Sequence, residues 1–170
     1  LDMSEHNPRA AVDALRPALR QGVPPSQAAA VHELRAVAYQ QLGNYLEAAR
    51  ERVALAPLLT DPAEAHRNQQ TLWQSLMSLS GTALEALRTA PPPDTLSGWL
   101  ELAAIAKSAL TQPDAVAGRI KDWRARYPQH PASPELLASL QPPPAETLRR
   151  PAHIAVLLPL SGAIAPSAEA

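Results

Sequence analysis

Cysteine is absent from the 170 residues, which excludes disulfides, thiolate metal ligands, cysteine nucleophiles and thiol redox chemistry within this segment. Phenylalanine is absent too, and aromatics make up only 4% of the chain, so a sheet built from β-branched and aromatic side chains is not expected for its bulk. Charge of either sign in excess is also missing: 16 acidic residues against 15 basic ones leave a net charge of −1. No long-range field therefore recruits nucleic acid or an anionic membrane surface. No apolar run approaches the ~20 residues of a membrane span. The chain opens Leu1-Asp2-Met3 without a signal sequence, as expected of a processed or engineered piece. Glycine-rich phosphate loops are absent.

What is present is alanine, leucine and proline. Apolar residues reach 46%, mostly Ala and Leu, enough for a real core of close-packed helices in one domain, or one domain plus a fragment. Helix starts are marked by cap residues beside proline or three residues before Glu. Asn7 precedes Pro8, Asp61-Pro62-Ala63-Glu64 joins a cap, a proline and a box-closing Glu, Asn44 and Glu47 have the capping-box spacing, and Ser133 precedes Pro134. Periodicity from these points predicts helices at about 8–21, 27–42, 45–57, 62–79, 82–89, 95–110 and 114–127. Pro17 should kink or split the first. The sixth carries two apolar stripes, Leu96-Trp99-Ala103 and Leu102-Ile105-Ala109, and is expected to pack on both sides.

Every other helix starts near 27, 62 and 95, spacings of 35 and 33 residues that match the ~34-residue tetratricopeptide period. Within the first unit, Tyr39-Gln40-Gln41-Leu42-Gly43-Asn44-Tyr45-Leu46-Glu47-Ala48 resembles the Gly-x-Tyr-x-x-Ala core of that repeat. Gly43 permits a tight turn between paired helices, Tyr45 fills the space where they cross, and Ala48 lets their backbones approach. The expectation is an all-α, tetratricopeptide-like stack of three antiparallel helix pairs over residues 27–127, within a helical domain of residues 1–127. Trp73, Trp99 and Trp123 each sit on an apolar stripe, as does Tyr127, and are expected in the core between repeats rather than on a partner surface.

From Pro128 the texture changes to Pro128, Pro131, Pro134, Pro142-Pro143-Pro144 and Pro151, which predicts a semi-rigid linker over 128–152 with one helical turn around Glu135 to Leu140. After it, Ile154 to Leu158 reads as a strand buried on both faces, followed by Pro159-Leu160-Ser161-Gly162. One strand cannot form a sheet, so 153–170 reads as the start of a truncated second domain.

Three stretches, Leu72-Trp73-Gln74-Ser75-Leu76, Leu96-Ser97-Gly98-Trp99-Leu100-Glu101-Leu102, and Asp122-Trp123-Arg124-Ala125-Arg126-Tyr127-Pro128-Gln129-His130-Pro131, resemble in order and spacing the helical domain of the LpoA family of penicillin-binding protein activators. Ile154 to Gly162 resembles the first strand and loop of that family's second domain, which is similar to type I periplasmic binding proteins. The resemblance implies an outer-membrane lipoprotein, anchored through an upstream lipidated Cys, that crosses the periplasm and stimulates a bifunctional peptidoglycan synthase, a class A penicillin-binding protein. It also implies that the second domain makes the contact. No anchor Cys and no leading repeats lie in this sequence.

No catalytic, cofactor or metal site is expected. His6, His32, His66, His130 and His153 never fall at i and i+4 on one helix and read as solvated or capping residues. Ser161 lacks a Gly-x-Ser-x-Gly elbow. Glu47, Arg50, Glu51 and Arg52, like Lys121, Asp122, Arg124 and Arg126, read as solvated helix faces. A carboxylate clamp on the inner helix is not expected, since its positions fall on Ala30, Glu33, Leu34 and Val37. Two functions stand: a spacer and regulator arm in cell-wall synthesis, or the helical extension of a ligand-sensing periplasmic binding protein. A protein-binding tetratricopeptide module is a further alternative.

Overall fold

A computed structural model describes residues 7–21, 23–87, 92 and 94–141. Eight α-helices follow in order: α1 Pro8–Gln21, α2 Pro25–Gln41, α3 Tyr45–Leu55, α4 Pro62–Met77, α5 Gly81–Leu87, α6 Thr95–Ser108, α7 Val116–Arg126 and α8 Pro134–Ser139. Short 3-10 turns, Ala56–Leu58 and Pro113–Ala115, end α3 and lead into α7. The described residues are all-α. The expected strand at 154–158, the prolines at 142–144 and the end of α5 at 89 lie outside them.

The caps do most of what the sequence promised. Asn7 Oδ1 accepts from the Ala10 N–H, Asp61 Oδ1 from Ala63 and Ser133 Oγ from Leu136, each satisfying an amide that has no partner within its own helix, and Asp94 Oδ2, a cap outside those expected from the sequence, does the same for Ser97. One expectation fails: Asn44 makes no side-chain cap bond, and Glu47 turns to Arg50 instead, so the capping box at 44–47 does not form. Of the two outcomes expected at Pro17, a split does not occur, since α1 runs on through it.

The turn between α2 and α3 is a Schellman motif. Gly43, at φ 72°, places its N–H on the Gln40 carbonyl, and the next N–H, of Asn44, reaches the Tyr39 carbonyl. The reversal makes α2 and α3 antiparallel: Arg35 meets Glu51, while Glu33, earlier on α2, meets Arg52, later on α3, and His32 joins Arg35 on Glu51. α6 and α7 form a second antiparallel pair, with Trp123 on Gly98 and Arg119 on Ser108. Between α4 and α6 the contacts advance together, Trp73 on Trp99 and then Met77 on Lys107, so these helices run in the same direction, as equivalent members of successive pairs do.

The regular three-pair stack is broken in the middle. α5 packs on α6 far more than on α4, its expected partner. Among the described residues of α5, Leu84 is the one buried anchor, and it joins the core that α6 builds. α6 takes the load on several sides, with Trp99, Leu100, Leu102, Ala103 and Ile105 all buried, as its double stripe predicted. One continuous core joins Ala49 of α3 through Leu72, Leu76, Leu84 and α6 to Ile120, Trp123 and Leu137.

That core overrides the expected boundary at residue 127. Ala132 and Leu137 are buried in it, and Ser133 exchanges two hydrogen bonds with Gln69 of α4. The first prolines after α7 therefore shape a strap laid on the body, and α8 is a real helix docked by Leu137. The helical body extends to about residue 140.

Candidate functional site

Two places concentrate polar or aromatic groups. The first is a groove of about 510 Å³ between α2 and α4, with the end of α3 as its floor. Ala29, Ala30 and Glu33 form one wall, Glu64, Arg67, Asn68 and Thr71 the other, and Arg52, Leu55 and Leu59 the floor. Arg52 is 5% exposed and donates from Nη1 to Glu33 and Asn68, while Asn68 donates back to the Arg52 carbonyl. The floor cation is thus engaged internally, and a ligand carboxylate would compete with Glu33 for it. Of the expected inner-helix positions, Ala30 and Glu33 do line the groove.

Behind the groove, Glu51 accepts from His32 Nδ1 at 2.7 Å and Arg35 Nε at 2.8 Å, and Arg35 also reaches the Tyr39 hydroxyl. The Arg35 guanidinium lies 5.4 Å from the Tyr39 ring centre. Glu51 and Arg52 are buried, contrary to the expectation of a solvated face, because they point across the α2–α3 seam instead of outward. The signal was the spacing to His32, Glu33 and Arg35 across a turn centred on Gly43. Nothing along α3 alone shows it.

The second place is aromatic. His130 sits with its ring centre 4.8 Å from both Trp99 and Trp123 and 6.0 Å from Tyr127, in edge-to-face contacts. Trp123 Nε1 donates to the Gly98 carbonyl at 2.8 Å, and the Tyr127 hydroxyl donates to Glu101, which Arg126 also pairs. Burial lowers the His130 pKa from 6.5, against an opposing contribution from its bond to the Thr95 carbonyl. His130 is therefore neither solvated nor a cap. Trp99 and Trp123 are buried as expected, at 2% and 1% exposure, whereas Trp73 is only half-buried at the margin of the core. In the first unit, Ala48 is buried at the helix crossing, and Tyr39 and Tyr45 are half-buried.

Among the described residues no group of three or more His, Asp or Glu side chains is placed to hold a metal ion, and no helix is long and apolar enough to cross a membrane. The arrangement is one of packed antiparallel helices: a polar seam ties α2 to α3, and an aromatic cluster joins α6, α7 and the residues after α7. A family model described as LppC putative lipoprotein matches residues 1–170, and the chain belongs to that family.

Curated relatives point the same way. The chain is 39% identical over 120 residues to the penicillin-binding protein activator LpoA of Erwinia tasmaniensis, covering 69% of this chain and 18% of that protein. It is 32% identical over 144 residues to the LpoA of Aliivibrio fischeri, covering 83% of this chain and 23% of that one. The crystal structure of Haemophilus influenzae LpoA superposes with a TM-score of 0.61 at 25% identity, over 92% of this chain and 29% of that chain. This chain thus spans roughly a fifth to a quarter of the curated relatives' length.

Proposed function

We propose that these residues form the non-catalytic spacer of an outer-membrane lipoprotein that activates a bifunctional peptidoglycan synthase, a class A penicillin-binding protein. The carrying observation is the unbroken core from α3 to α8. Helix pairs that share one core resist bending, since flexing any joint exposes apolar surface. Such a body holds a following domain at a set distance from an anchor. The relatives named as penicillin-binding protein activators support the biological setting. On this reading, residues 153–170 open a second domain similar to type I periplasmic binding proteins, and that domain makes the synthase contact.

The groove between α2 and α4 favours a second reading, a protein-binding module that takes an extended peptide. Its internally satisfied Arg52 and balanced charges make it a weak clamp, so the spacer reading stands first. The test compares synthase binding and cross-linking activity with this chain, the following domain alone, and the full-length lipoprotein. The spacer reading expects no stimulation by this chain. Stimulation at concentrations comparable with the full-length protein moves the contact onto these helices, and its loss in Arg67→Glu would place it in the groove.

A further inference from the structure

The strap after α7 is closed by one imidazole. His130 Nε2 lies 3.0 Å from the Thr95 carbonyl oxygen, and the Ala132 backbone N–H lies 3.2 Å from His130 Nδ1. A carbonyl oxygen only accepts and a backbone N–H only donates, so the two contacts fix one neutral tautomer, with the proton on Nε2 and the lone pair on Nδ1. The two indoles enclose the ring, and the absent Cβ of Gly98 makes room for it. A second proton has to settle on Nδ1, where it faces another donor in a partly buried site.

We propose that His130 is a proton-operated latch: neutral, it clasps residues 128–140 onto α6 and α7, and protonated at Nδ1 it lets that strap open. Opening starts at Ala132, whose N–H loses its acceptor. It then reaches Ser133, both the N-cap of α8 and the partner of Gln69, and finally frees Leu137. The α2–α3 pair shares none of these contacts and stays closed. The latch sits in the last described stretch of the chain, so it governs how firmly residues 128–140 are held to the stack.

The titratable groups on the surrounding elements are Asp94 at the N-cap of α6 and Glu101 on it, Arg126 on α7 and Tyr127 after it, His66 on α4 and Glu135 on α8. Asp94 caps Ser97, Glu101 takes Arg126 and Tyr127, and His66 bonds Gln70, while both imidazole nitrogens go to backbone groups. Burial depresses the closed-state pKa of His130 below 6.5, so the open strap binds the proton more readily. The latch is therefore fully engaged above 6.5 and fails as pH falls through the lower, closed-state value.

The test is nuclear magnetic resonance of this chain between pH 7.5 and 4.5, reading the His130 ring nitrogens together with amide protection factors. The expected result is an Nε2–H tautomer at neutral pH and a midpoint below 6.5. Protection at Ala132, Leu136 and Leu137 should fall across that midpoint, while α2 and α3 hold steady. His130→Gln should abolish the pH dependence of that protection, and His66→Gln should leave it intact. Three results overturn the latch: a midpoint at or above 6.5, protection unchanged through the midpoint, or the same fall in His130→Gln. If His130→Gln does not fold, the wild-type titration decides alone.

Discussion

Gly98 and His130 occupy adjoining space that only a missing side chain makes available: a Cβ on Gly98 would stand 2.5 Å from His130 Cδ2 and 2.7 Å from its Nε2. Gly98 lies inside α6, where alanine is ordinarily better than glycine by about 1 kcal/mol. Here the sign should reverse. The imidazole is wedged between two indoles and the new methyl also meets Tyr127 at 3.0 Å, so overpacking of about 1 to 3 kcal/mol outweighs the propensity gain. Gly98→Ala is expected to lower the denaturation midpoint, and a raised midpoint would show that the ring moves aside freely.

Gly43 poses the opposite case. A Cβ there meets nothing within 4 Å, so any cost of substitution is backbone strain at φ +72° and not collision. Gly43→Val should lose about 1 to 2 kcal/mol, the usual cost of the left-handed region for residues with a Cβ. Gly43→Asn should lose less, because Asn tolerates that region. Equal melting temperatures for glycine, asparagine and valine would mean that the turn relaxes out of the Schellman geometry.

Trp123 and Trp73 separate burial from residue type. Trp123 is 1% exposed and donates to the Gly98 carbonyl, so Trp123→Ala should cost about 3 to 5 kcal/mol in denaturant melts. Trp73 is half-buried against the core and meets Trp99 at a tilt, ring centres 6.3 Å apart, so Trp73→Ala should cost distinctly less. Similar losses at the two sites would place Trp73 inside the core as well.

Much of this was legible in the sequence because it is local. Asp61-Pro62 and Ser133-Pro134 announce helix starts through cap chemistry, and Gly43 announces a left-handed residue. What escaped is non-local. The charges of α3 look like a solvated face until α2 folds against them, and only then are Glu51 and Arg52 buried. The prolines from 128 to 134 read as a linker because proline density describes stiffness and says nothing of what the chain lies on. One clue to the aromatic site was available: a glycine beside Trp99 in mid-helix marks a close approach, though not by which residue. α5 was legible as a helix, while its partner was decided by the apolar area of α6.

The buried Glu51 cluster yields the sharpest stability prediction, since it binds a carboxylate to a guanidinium and an imidazole across α2 and α3. Arg35 is already short of partners, its Nη1 being buried without an acceptor. Glu51→Leu removes the anion and leaves the Arg35 guanidinium buried against apolar atoms, and loss of one member of a buried pair typically costs about 3 to 5 kcal/mol. Replacing both, as Glu51→Leu with Arg35→Met, removes the stranded charge and the orphaned nitrogen together. The double variant should therefore recover most of the loss, as buried pairs exchanged for packed apolar side chains often do. Tyr39 would keep its hydroxyl at the half-exposed edge, where water replaces the lost arginine contact. Urea melts of the wild type, both single variants and the double variant close the cycle. Additive losses, with no recovery in the double variant, would show that Glu51 and Arg35 act independently and that the seam is held by packing alone.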